Sequence, residues 1–267
     1  LTVKYPHRAV SKTGDGSRVS RETKKPAGCL SSPPNSEKIA SEVRELVALW
    51  LRETTLSPRT GFLERIEKMA ATLTLWGTRT NLTADASDPA EISFHVIDSL
   101  APVAFAAGAN REALEAALAE GGNVLDLGSG GGFPGLVLAA AFSARFTLAE
   151  SRRKRASYLR VAAHEMGLEN VASEQRRAGA RSVSGGFDLV TARAFGTSSE
   201  LYEIAAAALS PRGILLLYAS ADQALDTGAG QILAESTAWT YRVPHGERVA
   251  TRTAMLRRKS SMAPSDL

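Results

Sequence analysis

Apolar residues in the first part of the chain fall on helical spacing. Ile39, Val43, Leu46, Val47 and Trp50 recur at i, i+4, i+7 and i+8, and Phe62, Ile66, Met69 and Leu73 repeat the stripe after Ser57-Pro58. Ser57 can cap a helix and Pro58 can occupy its first turn, so a helix is predicted to begin there. Asp88-Pro89-Ala90-Glu91 gives the same start signal before the run Ile92–Leu100. Residues 37–120 are therefore predicted as a helical extension. Residues 1–36 lack apolar periodicity and are rich in Ser, Gly, Pro and basic side chains, which predicts a disordered basic tail. Residues 261–267 are also expected to be disordered.

The pattern changes near Asn123. Short apolar runs at Val124–Leu127, Phe146–Ala149, Asn170–Ser173, Phe187–Thr191 and Ile214–Tyr218 read as strands, and segments from Pro134, Arg152, Thr197 and Ala221 read as helices. Strands alternating with helices imply βαβ units and a parallel, Rossmann-like sheet. The runs Trp239–Val243 and Val249–Leu256 are joined by His245-Gly246-Glu247 with no helix between them, which predicts an antiparallel hairpin. Seven strands result, in an α/β domain over residues 121–260.

Composition narrows the possibilities. The net charge is +4, but residues 1–36 carry seven basic against two acidic side chains, a balance of +5, which leaves −1 for residues 37–267. If the folded part binds nucleic acid, it must do so through local patches. The tail is either an extension with little function or an RNA-contacting arm, and its composition is only weakly similar to a transit peptide. No apolar run reaches the roughly 18 residues of a membrane span. The single cysteine, Cys29, cannot form an internal disulfide, which fits a reducing cytoplasm.

The chemistry centres on Val124–Gly135, Val-Leu-Asp-Leu-Gly-Ser-Gly-Gly-Gly-Phe-Pro-Gly. Strand, glycine-rich turn and helix together make a nucleotide-like ligand site beyond the carboxyl ends of the strands. Gly130-x-Gly132-x-x-Gly135 matches the dinucleotide fingerprint, although Gly128 and Ser129 already intervene after the strand. No Gly-Lys-Ser/Thr follows, so a Walker loop is excluded. Asp126 would repel a pyrophosphate and suits a ligand carrying an amine or a sulfonium. Glu150 closes the next strand, where an acid accepts ribose hydroxyls of NAD or S-adenosylmethionine alike. Together the two acids favour S-adenosylmethionine. A carboxylate at 126 that merely satisfies turn N–H groups is compatible with either cofactor.

A basic rim surrounds this loop. Arg152, Arg153, Lys154 and Arg155 open the helix after the second strand, where cations oppose the helix dipole. Arg176 and Arg177 follow the third strand and Arg193 follows the fourth. Such cations would position an anionic substrate such as RNA, or simply form a solvated helix face. Arg193 ends a buried strand, so its charge has to be satisfied by something. His95 and Asp98 lie three apart, which reads as a hydrogen-bonded pair on a helix surface and not as a metal site. No general base is evident. Guanine N7 needs none, because its lone pair is in plane and free, so positioning and a water-poor site suffice.

Several segments then carry a family resemblance. Trp76 with Asn81-Leu82-Thr83, His95-x-x-Asp98-Ser99, the loop Val124–Gly135, Glu150-Ser151 with Lys154-Arg155, and Arg193-Ala194-Phe195 resemble the RsmG (GidB) family of bacterial 16S rRNA guanine-N7 methyltransferases. The resemblance runs from about Leu73 to Lys259. It implies a class I methyltransferase fold with an N-terminal helical extension and S-adenosyl-L-methionine as cofactor. The implied substrate is a guanine in the decoding-region loop of 16S rRNA, in the small ribosomal subunit. A monomeric cytoplasmic enzyme with no membrane or metal requirement is expected. By matching position, Gly128 and Phe133 would line the cofactor pocket, where the loop and strand ends themselves already place Asp126, Gly130 and Glu150. Ala178 and Gly179 would hold the adenine end through backbone atoms. Arg193 would sit beside the reacting base and the cofactor, and Arg152, Arg153, Lys154, Arg155 and Arg177 would contact RNA.

The chain departs from the family pattern in four places. Gly77 replaces the common Asn, Phe94 the common Arg, Gly179 a common Glu, and Tyr218-Ala219-Ser220 a Leu-Lys-Gly-like strand ending. A diverged methyltransferase acting on another RNA or a small molecule is one alternative. A cofactor-binding assembly factor without turnover is another.

Overall fold

The computed structural model describes residues 35–177, 185–193, 199–220, 233 and 235–259. The tail over residues 1–34, Ala178, Gly179, the Ala194-Phe195 pair, the helix expected from Ala221 and the C-terminus beyond Lys259 lie outside the described residues.

Four helices come first. They are α1 (Ser36–Leu51), α2 (Phe62–Gly77), α3 (Pro89–Phe105) and α4 (Gly108–Leu118). The predicted stripes are their buried faces: Val43, Val47 and Trp50 in α1, and Phe62, Ile66, Met69 and Leu73 in α2. Asp88 caps α3 as expected, its side chain accepting the Ala90 N–H at 2.9 Å with Pro89 in the first turn. The start of α2 is a correction. It begins at Phe62 behind Gly61, whose φ of 79° stops helix extension backwards, and not at Ser57-Pro58.

The Ser57–Thr60 stretch is occupied elsewhere. The Arg59 N–H donates to the Ala141 carbonyl at 2.9 Å, and its guanidinium donates to the Ala139 and Ala140 carbonyls at 2.8 and 3.1 Å. These are the orphan carbonyls at the end of α5 (Gly135–Ala141), so Arg59 acts as that helix's C-terminal cap.

The remaining elements are β1 (Asn123–Leu127), β2 (Arg145–Glu150), α6 (Arg153–Glu165), β3 (Val171–Gln175), β4 (Phe187–Arg193), α7 (Ser199–Ala208), β5 (Leu209–Ser220), β6 (Glu235–His245) and β7 (Arg248–Arg258). They form one seven-stranded sheet in the order β3-β2-β1-β4-β5-β7-β6. Every neighbouring pair from β3 to β5 is parallel, and β7 runs antiparallel to β5 and β6. This is the class I methyltransferase arrangement. The hairpin closes on Gly246-Glu247 with His245 opposite Arg248, and Gly246 has φ 58°, as a two-residue hairpin turn requires.

Alternating strand residues feed two cores. Val124, Phe146, Leu148 and Leu216 face one side and share a single apolar cluster with α1, α2, α3, α5 and α6. Leu125, Leu127, Val190 and Leu215 face the other side against Leu201, Ile204 and Ala205 of α7. The helices before the sheet are thus part of its main core. One contact among them is unusually close. A side chain at Gly77, at the end of α2, would overlap the Ala86 methyl, so the loop leading to α3 lies directly on the bare helix end.

Candidate functional site

The glycine loop leaves β1 and bends over the end of β2, with the Gly128 N–H donating to the Ala149 carbonyl at 2.9 Å. Gly128, Gly130 and Gly132 have φ values of 71°, 52° and 88°, a left-handed backbone that side chains with a Cβ adopt only under strain. Gly135 is required for another reason. A Cβ there would come within 2.6 Å of the Asp126 carboxylate, which packs directly under the first turn of α5.

Asp126 is fully buried. It accepts the Gly135 N–H at 3.2 Å on one oxygen and the Thr191 hydroxyl at 2.8 Å on the other. Burial pushes its carboxyl up from the ordinary value, and these hydrogen bonds pull the other way. Asp126 thus sits beneath the loop and holds its shape, its carboxylate bonded by a loop N–H and by Thr191. Glu150, also buried, accepts the Gly130 N–H at 3.0 Å and the Arg152 N–H at 2.8 Å. It therefore joins the loop to the start of α6 and supplies negative charge at that helix N-terminus. This offsets the cost of the basic run there.

The basic residues separate into two kinds. Arg152, Arg153, Lys154 and Arg177 are exposed at the carboxyl edge. Arg155 is half-buried and donates to the Asn81 carbonyl at 2.7 Å. It fastens the Asn81–Thr83 segment over the loop, where a Cβ on Gly131 would come within 2.8 Å of the Leu82 carbonyl.

Arg193 leaves the end of β4 and enters a polar cluster. Its guanidinium lies over the Phe133 ring at 5.3 Å, donates to Asp98 at 3.2 Å and bonds the His95 ring Nδ1 at 3.1 Å. Asp98 is fully buried and also accepts from Arg252 at 3.2 and 3.3 Å and from the Tyr241 hydroxyl at 2.9 Å. Burial and then the Asp98 charge push the Tyr241 and Tyr218 hydroxyls well up, so both remain donors. Tyr218 donates to the Ser99 carbonyl at 2.9 Å. Glu91 faces His95 at 3.1 Å and His245 at 2.8 Å, and the Phe94 ring stacks on His245 at 4.4 Å.

His95 and Asp98 are thus not a surface pair bonded to each other, which corrects the sequence reading. They point inward at Arg193. Glu91, His95 and Asp98 fall at i, i+4 and i+7 inside an apolar helix, and that buried polar stripe is the signal the sequence offered. Arg252 and Tyr241 had no local signal.

Among the described residues, no group of three or more His, Cys, Asp or Glu is placed to hold a metal ion. No helix among them is long and apolar enough to cross a membrane. A separate cleft of about 600 Å³, lined by Lys38, Glu42, Thr74, Gly77, Asp85 and others, contains none of the predicted site residues.

Comparison with known proteins covers the chain from α2 to β6. A family model described as GidB, rRNA small subunit methyltransferase G, matches residues 62–246. The chain is 34% identical over 157 residues to the ribosomal RNA small subunit methyltransferase G of Wolinella succinogenes, covering 58% of this chain and 74% of that one. It is 32% identical over 189 residues to the protein of the same description from Stenotrophomonas maltophilia, covering 70% and 80%. Among solved structures it is similar to a precorrin-6y C5,15-methyltransferase from Geobacter metallireducens, with a TM-score of 0.45 at 17% identity, covering 57% and 88%.

Proposed function

The chain belongs to the rRNA small subunit methyltransferase G (GidB) family, and on that premise we propose the reaction it performs. It transfers the methyl group of S-adenosyl-L-methionine to N7 of a guanine in the decoding-region loop of 16S rRNA. It acts as a monomer on the small ribosomal subunit, in the cytoplasm.

The glycine loop fits the cofactor. Gly128 is exposed and Gly130 half-exposed, so the loop presents bare backbone at the carboxyl edge of the sheet, with a buried carboxylate at Asp126 beneath it. Gly128, Gly130 and Phe133 would line the pocket. Glu150 would accept a ribose hydroxyl on lone pairs not used by Gly130 and Arg152. Asp126 would act through the loop, its charge favouring a cation above it. In this reading Ala178 and Gly179, by matching position, hold the adenine end. Bound there, S-adenosyl-L-methionine supplies an electrophilic methyl group on a positively charged sulfur.

The protein's own task is orientation. Arg193 would donate to guanine O6, which leaves N7 and its in-plane lone pair for the methyl group. No proton has to leave N7, so no base is needed. His95, the nearest imidazole, has its Nδ1 lone pair bonded to Arg193 and its pKa pushed down to about 2, first by burial and then by the Arg193 charge. Arg152, Arg153, Lys154 and Arg177 would hold RNA phosphates, and Arg155 would keep the Asn81–Thr83 segment in place.

The observation that carries the reading is the delivery of Arg193 by β4 to the Phe133 side of the glycine loop. The test incubates the protein with labelled S-adenosyl-L-methionine and unmethylated small subunits. Label should enter one 16S guanine and make that site cleavable by borohydride and aniline, which marks N7. Arg193→Ala should lower the rate on the order of 10²-fold, the scale of a lost transition-state donor. Unchanged methylation at unchanged cofactor affinity would remove Arg193 from the mechanism.

A further inference from the structure

We propose that His95 is a positioning residue for Arg193, working as a neutral hydrogen-bond acceptor whose tautomer is fixed by Glu91. The inference rests on the function proposed above and adds a residue to its machinery.

A guanidinium has five N–H donors and no acceptor. Arg193 spends one terminal nitrogen on Asp98 at 3.2 Å and the other on the His95 Nδ1 at 3.1 Å. Its plane rests over Phe133 at 5.3 Å. Both anchors come from one face of α3, three residues apart, so a rigid helix sets the angle of the guanidinium. Asp98 alone would not do this, because its two oxygens are also shared with Arg252 and Tyr241. The second anchor removes the remaining swing about the Asp98 contact. Three N–H groups stay without a partner among the described residues, available for a base or a cofactor.

The protonation state of His95 follows from its partners. Arg193 can only donate, so Nδ1 must hold a lone pair and the ring proton sits on Nε2. That proton meets a Glu91 oxygen at 3.1 Å. A second proton would turn Nδ1 into a donor facing a donor. It would also add a cation beside Arg193 and Arg252, with His245 close by. The groups around the ring are Glu91, Phe94 and Asp98 from α3, Arg193 from β4, Phe133 from the glycine loop, Arg252 from β7 and His245 from the end of β6. Only Glu91 and Asp98 among these bear negative charge. Asp98 is taken up by the two arginines, and Glu91 faces the Nε2 side.

Two substitutions separate the ring nitrogens. An asparagine carbonyl reaches the place of Nδ1, whereas a glutamine carbonyl reaches that of Nε2. With the full chain, small subunits and labelled cofactor, His95→Gln should lower kcat by on the order of tenfold, the effect of one lost positioning bond. His95→Asn should recover most of that loss. Cofactor affinity and Tm should stay close to wild type in both. In the unmodified protein, ¹⁵N spectra of His95 should show the Nε2–H tautomer with no titration between pH 5 and 8.

Equal losses of kcat in the two variants, or no loss in either, would overturn the proposal. So would a ring that titrates in that range or carries its proton on Nδ1. The spectra read the ring without any RNA, so a wild-type protein that labels no guanine would count against the proposed function and leave the fate of His95 to the tautomer.

Discussion

Asp126 shows what a single side chain contributes under a loop. Burial dominates its environment and raises its carboxyl above the ordinary 3.8. A carboxyl raised in the folded state adds stability below the unfolded value and loses it as pH climbs through the folded value. Asn at this position keeps an acceptor for Gly135 and carries no charge. The apo form of Asp126→Asn should therefore gain on wild type as pH rises, its Tm difference being more positive at pH 8 than at pH 4. Scanning calorimetry at both pH values checks this, and the opposite trend would mean that the hydrogen bonds outweigh burial. At this scale the sequence was informative about the loop and Arg193, because glycine spacing and a charge ending an apolar strand are local facts. It was uninformative about the partners of Asp98. Helical spacing told which face His95 and Asp98 share, but their partners Arg193, Tyr241 and Arg252 lie 95 to 154 residues away along the chain.

Among the elements, α5 depends on a residue from outside it. Arg59 satisfies three of its last carbonyls through one N–H and two guanidinium bonds. Arg59→Ala keeps the backbone N–H but removes both guanidinium bonds, and should cost about 1–3 kcal/mol, since the Ala139 and Ala140 carbonyls lose charge-assisted donors. For a chain of this size that is a fall in Tm of roughly 2–8 °C. An unchanged Tm would show that water replaces the cap at no cost. This role also explains a misread boundary. Ser57-Pro58 is a sound local start signal, yet the segment was claimed by α5 and helix α2 waited until Gly61. The positions of β1, β2, β4 and β5 were legible because burial on both faces produces short apolar runs, whereas β3 has no buried residue. Strand ends were not legible, as in β5, where Ser210, Pro211 and Arg212 continue the strand without apolar pattern.

For the molecule as a whole, charge and core are the legible quantities. Outside residues 1–36 the net charge is −1, so attraction to RNA has to come from the exposed rim and not from a global field. Replacing Arg152, Arg153 and Lys154 together by alanine should weaken small-subunit binding and leave cofactor affinity intact. The log–log salt slope should become shallower by about 2, given roughly 0.7 per phosphate contact. Filter binding across a salt series measures it, and an unchanged slope would make the run a solvated helix face. A division of the chain at residue 120 was expected from the change of pattern. The apolar cluster runs across that point, from Val43 and Leu73 to Phe146 and Leu216, and periodicity along the chain carries no information about which faces meet.

The close fit of Gly77 against Ala86 makes the two positions mutually contingent. A side chain at 77 would occupy the space that the Ala86 methyl already fills. Asparagine at 77 is therefore rejected while Ala86 remains, and glycine at 86 would reopen the space. Neither position can be varied without regard to the other: a change tolerated with one neighbour should be damaging with the other, and the cost of the two changes together should be less than the sum of each alone.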